Sequence, residues 1–117
     1  MIGDRVSSYR KTTFAHMILY NVTCILDEEI HSDWLNWMRT KHLQDMMDTG
    51  CFVSNRVLKV LDSPNEGVTY CVQFIAETME KYEEYQAKFA PALRADTTTR
   101  FADKLVKYRT VMESINL

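Results

Sequence analysis

Glycine and proline are scarce in this chain: three and two among 117 residues. A loop that cradles phosphate needs several glycines close together. There is no such loop, and no G-x-S-x-G turn to carry a nucleophilic serine. The three cysteines are an odd number without C-x-x-C spacing, so reduced thiols are expected, not a disulfide framework or a cysteine metal site. His31 and His42 stand eleven residues apart, about three helical turns or ~16 Å, too far to share one ion. No metal and no cofactor is expected. No apolar run approaches the roughly 18 residues that span a bilayer. The formal net charge of -2, with no cluster of Lys and Arg, argues against a nucleic-acid partner. Residues 1–16, MIGDRVSSYRKTTFAH, lack the apolar core of a signal peptide. Cytoplasmic residence without a membrane partner is the expectation, and the Asn21-Val22-Thr23 sequon is then incidental.

What is present suits an ordinary globular domain: 46% hydrophobic and 26% charged residues, with enough length for one core without staples. Residues 1–16 read as an N-terminal extension with little pattern. One reading places the natural start at Met17, with the upstream segment misassigned or added in cloning. The single domain is expected over 17–117. It opens on an abrupt apolar strand, ILYNVTCIL. Asp27 is placed to cap a helix whose first turn carries Glu28 and Glu29. Ile30, Trp34, Trp37 and Met38 recur at helical spacing, and Gly50 ends that helix. A second strand, CFVSNRVLKVL, follows directly. A turn cluster from Asp62 to Gly67 leads to a third, VTYCVQFIA. Thr78 should cap the next helix, with Met79, Tyr82, Tyr85, Phe89 and Leu93 as its buried stripe. Pro91 should end it near Phe89 and restart a short helix. A last strand covers about Leu105 to Met112.

The order β-α-β-β-α-β predicts an α+β ferredoxin-like plait, an antiparallel sheet of order 4-1-3-2 with both helices on one face. Alternation puts Ile18, Tyr20, Val22, Cys24 and Leu26 on the helix side, with Tyr70, Val72, Phe74 and Ala76. The opposite face, with Asn21, Thr23, Thr69 and Gln73 among apolar residues, is too apolar for water and too polar for a dry core. Burial against a second copy would satisfy it, giving a homodimer through the sheet faces. An exposed, half-polar sheet in a monomer is the alternative. Strands two and four do not sort, and Arg56 and Arg109 are placed either toward a dimer lumen or out from an edge.

MILYNVT, W-x-x-W-M, KH, TG-x-F, TYCVQF, Y-x-x-x-FAPAL and RF before YRTVME, in that order, resemble a bacterial family known as a domain of unknown function. The resemblance covers about residues 17–114. It implies a dimeric α/β barrel of ferredoxin-like fold and assigns no activity. Distant members of that architecture include cofactor-free monooxygenases, muconolactone isomerases and sugar mutarotases, whose catalytic residues find no match here. Those links are analogy alone.

His42 is the one candidate for catalysis. It falls between Met38 and Met46 on the helix stripe, where a neutral imidazole could act as base or acid; an inert core histidine bonded to backbone would sit there too. Tyr20, Trp34, His42 and Tyr70 are candidates for a flat aromatic pocket, or are large core side chains. Asn21, Thr23, Thr69 and Gln73, with Arg56 or Arg109, could hold an anion in a dimer lumen, or form a polar interface network. The leading expectation is a protein that binds a small molecule between helices and sheet. The alternatives are a non-catalytic homodimeric sensor, assembly or structural module, and a cofactor-free isomerase or monooxygenase-like enzyme. A cavity of a few hundred Å³ lined by His42 and a tyrosine hydroxyl would favour a binder. A close-packed interior with His42 bonded to backbone would oppose one.

Overall fold

Both flanks of the first apolar strand are paired, which is why it reads so cleanly. A computed structural model of the chain describes residues 16–117; the expectation for the N-terminal extension falls, but for His16, outside them. Strand β1 (Ile18–Leu26) lies between β3 (Val68–Ala76) and β4 (Leu105–Glu113), and β2 (Ser54–Lys59) pairs with the far side of β3. All three pairings are antiparallel, and the order β4-β1-β3-β2 is the expected 4-1-3-2. Tyr20 stands opposite Phe74 on β3 and Val111 on β4; Val22 stands opposite Val72 and Arg109.

The first crossover is more broken than its sequence pattern. Asp27 makes no side-chain cap bond. Glu28–Ile30 forms a 3-10 turn, and helix α1 begins at His31 and ends at Trp37. The carboxylates of Asp27 and Glu29 instead lie 3.8 and 2.6 Å from the Lys104 ammonium. Met38–His42 is a π turn, and α2 (Leu43–Asp48) completes the crossover. Gly50 follows with φ +74°, the left-handed residue that ends a helix without a Cβ penalty. Cys51 and Phe52, expected in the second strand, are buried in the core ahead of β2.

The second crossover is α3 (Met79–Lys88), with the Thr78 hydroxyl accepting from the Lys81 backbone N–H, then α4 (Ala90–Phe101) with Pro91 in its first turn. The helix after Pro91 has twelve residues, so it is not short. Tyr82 and Tyr85 are buried as expected, whereas Met79 is 46% exposed because it sits in the first turn, before the helix reaches the sheet. Helices and sheet enclose an aromatic core. Tyr20 packs against Phe52, Phe74, Tyr82 and Tyr85 with ring centroids 5.2 to 6.3 Å apart, the range of favourable ring pairs. Gly67 holds φ +84° where the chain passes β1, and a Cβ there would lie 2.1 Å from the Leu26 carbonyl oxygen.

Candidate functional site

The π turn sets where His42 sits. Such a turn inserts an extra residue into the helical repeat and often marks a functional position. It brings the His42 ring onto Trp37, stacked with centroids 4.4 Å apart. Arg100 lies over the Trp37 ring at 5.9 Å. His42 Nδ1 is buried and has no hydrogen-bond partner among the described residues, so none of their backbone carbonyls anchors this nitrogen. Burial above all, and then the Lys107 ammonium, push the imidazole down to about 4; Asp45 and Asp96 pull the other way and Lys41 pushes with Lys107. His42 is therefore neutral at neutral pH.

His42 lines an internal cavity of about 30 Å³ between the helices and the sheet. About two waters fill such a space, an order of magnitude below the few hundred Å³ expected of a ready-made ligand site. Tyr20 and Val22 on β1 form its floor, Trp34, Trp37 and Met46 part of its roof. Leu93 and Arg94 on α4, and Lys107 and Arg109 on β4, also line it. The lining contains no Asp or Glu. Arg109 Nε donates to the Tyr20 hydroxyl at 3.1 Å, and Arg94 donates to Gln86 Oε1 at 2.8 Å. Burial, followed by repulsion from Arg109, holds the Lys107 ammonium below its ordinary range. Cys24 also lines the cavity, and burial pushes its thiol up to about 12, so it stays protonated and unreactive.

Four buried side-chain nitrogens lack a partner among the described residues: Trp34 Nε1, Trp37 Nε1, His42 Nδ1 and Arg94 Nε. All four belong to residues that line this cavity. Buried donors without acceptors are uncommon and each calls for an explanation.

Of the four residues expected to form an aromatic pocket, Tyr20, Trp34 and His42 meet in the cavity and Tyr70 does not. Tyr70 stands opposite Cys24, four residues along β1 from Tyr20, or ~13 Å at the rise of a strand. Its hydroxyl is 2.8 Å from His31 Nε2 and its ring packs on Trp34. Arg109 also needs correcting. Its register opposite Val22 and its bond to Tyr20 put it on the helix side, not in a sheet-face lumen. The sequence reading missed Arg94, Lys107 and Tyr85, whereas Trp37, one turn from Trp34 on the helix stripe, lines the cavity with it. The available signal was β4 itself, where Lys107 and Arg109 alternate with Val106 and Tyr108.

The opposite sheet face carries a chain of polar contacts. Arg56 Nε donates to Gln73 Oε1 at 2.7 Å, Gln73 Nε2 to Asn21 Oδ1 at 3.1 Å, and Asn21 Nδ2 to Thr23 Oγ1 at 3.0 Å. Thr23 Oγ1 lies 3.8 Å from Cys71 Sγ, and Thr69 Oγ1 lies 3.2 Å from Ser63 Oγ. Around them Leu58, Val106, Tyr108 and Met112 are 40 to 61% exposed. Among the described residues no group of His, Cys, Asp and Glu is arranged to hold a metal ion, and no helix is long and apolar enough to cross a membrane.

Solved structures share this arrangement, two among them as follows. One is described as an ethyl tert-butyl ether d (ethd) family protein from Bacillus halodurans c-125. It aligns at TM-score 0.64 and 12% identity, over 84% of this chain and 99% of its own. The other is described as a dimeric ferredoxin-like protein from an uncultured marine organism, at TM-score 0.55 and 18% identity, over 92% and 97%. At such identities the likeness extends to the fold alone. Comparison with curated proteins gave no match. Residues 17–115 match the model of one family, described as Domain of unknown function (DUF4286), and the chain belongs to that family.

Proposed function

We propose that this protein binds a small molecule in the cavity between its helices and sheet, as a homodimer that closes its open sheet faces on each other into an α/β barrel. The observation that carries the binding reading is the convergence of His42, held by a π turn, with the Tyr20 hydroxyl on one cavity. On this reading the space of about 30 Å³ widens when a ligand enters. Its walls include Met38, Met46 and Lys107, unbranched, flexible side chains that repack at modest energy. Rotation of Lys107 on the edge strand and a small shift of α4 would admit a compact ligand.

Binding fits the site better than catalysis by His42. A general base works best with a pKa near the working pH, and His42 lies near 4. The dimer reading rests on the open face, where exposed Val106, Tyr108 and Met112 flank buried Asn21 and Thr23. A second copy would cover the apolar rim and leave the polar chain from Arg56 to Cys71 paired within the seam. The dimeric fold neighbour supports the same assembly.

A thermal-shift screen of a metabolite library on wild type and His42→Ala tests the binding. Ligands that stabilise the wild type and not the folded variant identify the cavity. If no compound acts, or all act equally on both proteins, the site is not there. Light scattering after size exclusion at micromolar concentration reads the dimer, and a monomer mass overturns it.

A further inference from the structure

We propose that the ligand of this cavity is an anion: a compact molecule with an apolar body and one carboxylate or enolate-type oxygen group, received by Lys107, Arg109 and Arg94. The inference rests on the binding reading above and adds the ligand's chemistry. Three cationic side chains line one small cavity, and no carboxylate lines it with them. Among the described residues none of the three forms an ion pair with Asp or Glu; the ion pairs there involve His16, Lys41, Lys81, Lys88 and Lys104.

The cations are also on the wrong side for a purely structural strand. On β4, Val106, Tyr108 and Met112 are exposed while Lys107 is half-buried on the helix side. A second copy on the open face accounts for the outward apolar set but not for two cations turned toward the helices, where the pattern calls for apolar residues. Violations of that kind are expected where function demands them.

Hydrogen-bonding capacity agrees. Trp34 Nε1 and Trp37 Nε1 are donors only, as is Arg94 Nε, and all three are buried and unpartnered. Their surplus is matched by a ligand that brings acceptors, and charge-assisted bonds to a carboxylate are the strongest available. The rest of the lining, with Val22, Val72, Phe74 and Leu105, suits an apolar body. Arg109 is the exposed member of the three and keeps its Nε on Tyr20, which leaves its terminal nitrogens for an anion entering past the edge strand.

The experiment uses acetate, benzoate and benzamide at matched ionic strength and pH 7.5, on wild type, Lys107→Met and Arg94→Met. Benzoate is expected to raise the wild-type melting midpoint saturably, by about 4 °C or more, with acetate acting in the same direction at higher concentration. Benzamide, of the same shape without charge, should do nothing. Lys107→Met should lose the benzoate shift while its ligand-free midpoint rises, because a repelled cation has been removed. Arg94→Met serves as the second test should Lys107→Met fold poorly. Equal shifts from benzoate and benzamide, lost in His42→Ala, would leave the cavity reading intact and overturn the anion. A benzoate shift that survives both cation variants also overturns it. No shift from any of the three compounds in the wild type overturns the anion; if the library screen is silent too, the cavity reading fails with it.

Discussion

Arg109 donates from its Nε to the hydroxyl of Tyr20 at 3.1 Å, so the edge strand is tied to the aromatic centre of the sheet by one charged bond. Tyr20 is 2% exposed and plays two parts: its ring fills the core, and its oxygen reaches the cationic cavity. Tyr20→Phe keeps the ring and removes the bond. A loss of about 1 kcal/mol is expected, the low end for a charged donor because Arg109 is partly solvated. Tyr20→Ala empties the core position and should cost about 3 to 5 kcal/mol. Urea denaturation separates the two. Equal losses would mean that the hydroxyl, not the ring, holds this part of the fold.

Gly67→Ala tests the backbone crossing beside β1. The added Cβ would meet the Leu26 carbonyl oxygen at 2.1 Å, and the residue sits at φ +84°. Neither the backbone oxygen nor a left-handed alanine relaxes cheaply, so a loss of about 3 kcal/mol or more is expected. Gly50→Ala has the same φ penalty, at +74°, without any atom within 4 Å of the new Cβ. It should cost about 1 kcal/mol. If the two variants melted together, steric approach at Gly67 would not be the cause.

How far the sequence could be read follows from where each side chain's neighbours come from. β1 and β3 are paired on both flanks and each has one clearly more apolar face, so Tyr20, Val22, Val72 and Phe74 could be assigned to the helix side by period. β4 mixes the two: Lys107 and Arg109 turn toward the helices between Leu105 and Val111, while Val106 and Tyr108 turn away. Hydropathy marks an inward face only when the other face is wet, and here neither rule holds. Tyr70 was assigned to the correct face, but distance along the strand separated it from Tyr20. The cavity joins His42 to Arg94 and to Lys107, across elements far apart in sequence. No local pattern announces such a meeting. The π turn was equally hidden, since Met38, His42 and Met46 keep a spacing of four that an unbroken α-helix would also show.

The proposed dimer makes Tyr108 a sensitive position. It is 53% exposed at the open face, opposite Thr23, and contributes nothing to the aromatic core. Tyr108→Glu would bury a carboxylate in the seam of a dimer and leave a monomer unaffected. Light scattering is expected to give a monomer mass for the variant with an unchanged circular dichroism spectrum. Arg56→Glu, at the end of the polar chain, should weaken the dimer less, because Arg56 is exposed and its partner Gln73 can be solvated. A wild-type mass for Tyr108→Glu would move the interface elsewhere.

His42 should make stability depend on pH in a defined window. Its folded-state pKa is near 4, lowered from 6.5 by burial and then by Lys107. A lowered value means that the unfolded chain binds the proton more readily. The contribution is therefore fully present above about 6.5 and is lost as pH falls toward 4, where it levels off. The full difference corresponds to about 3 kcal/mol, and the ring's residual exposure brings the expected loss to about 2 kcal/mol. Denaturation measured from pH 8 to pH 5 should show that slope in the wild type and a flatter profile in His42→Gln. An anion bound beside Lys107 would offset the ammonium and raise the imidazole, narrowing the window from its acid side; nuclear magnetic resonance of the ring protons, with and without benzoate, reads this directly. If the titration midpoint stays put while benzoate saturates, the anion does not reach the cavity that His42 lines.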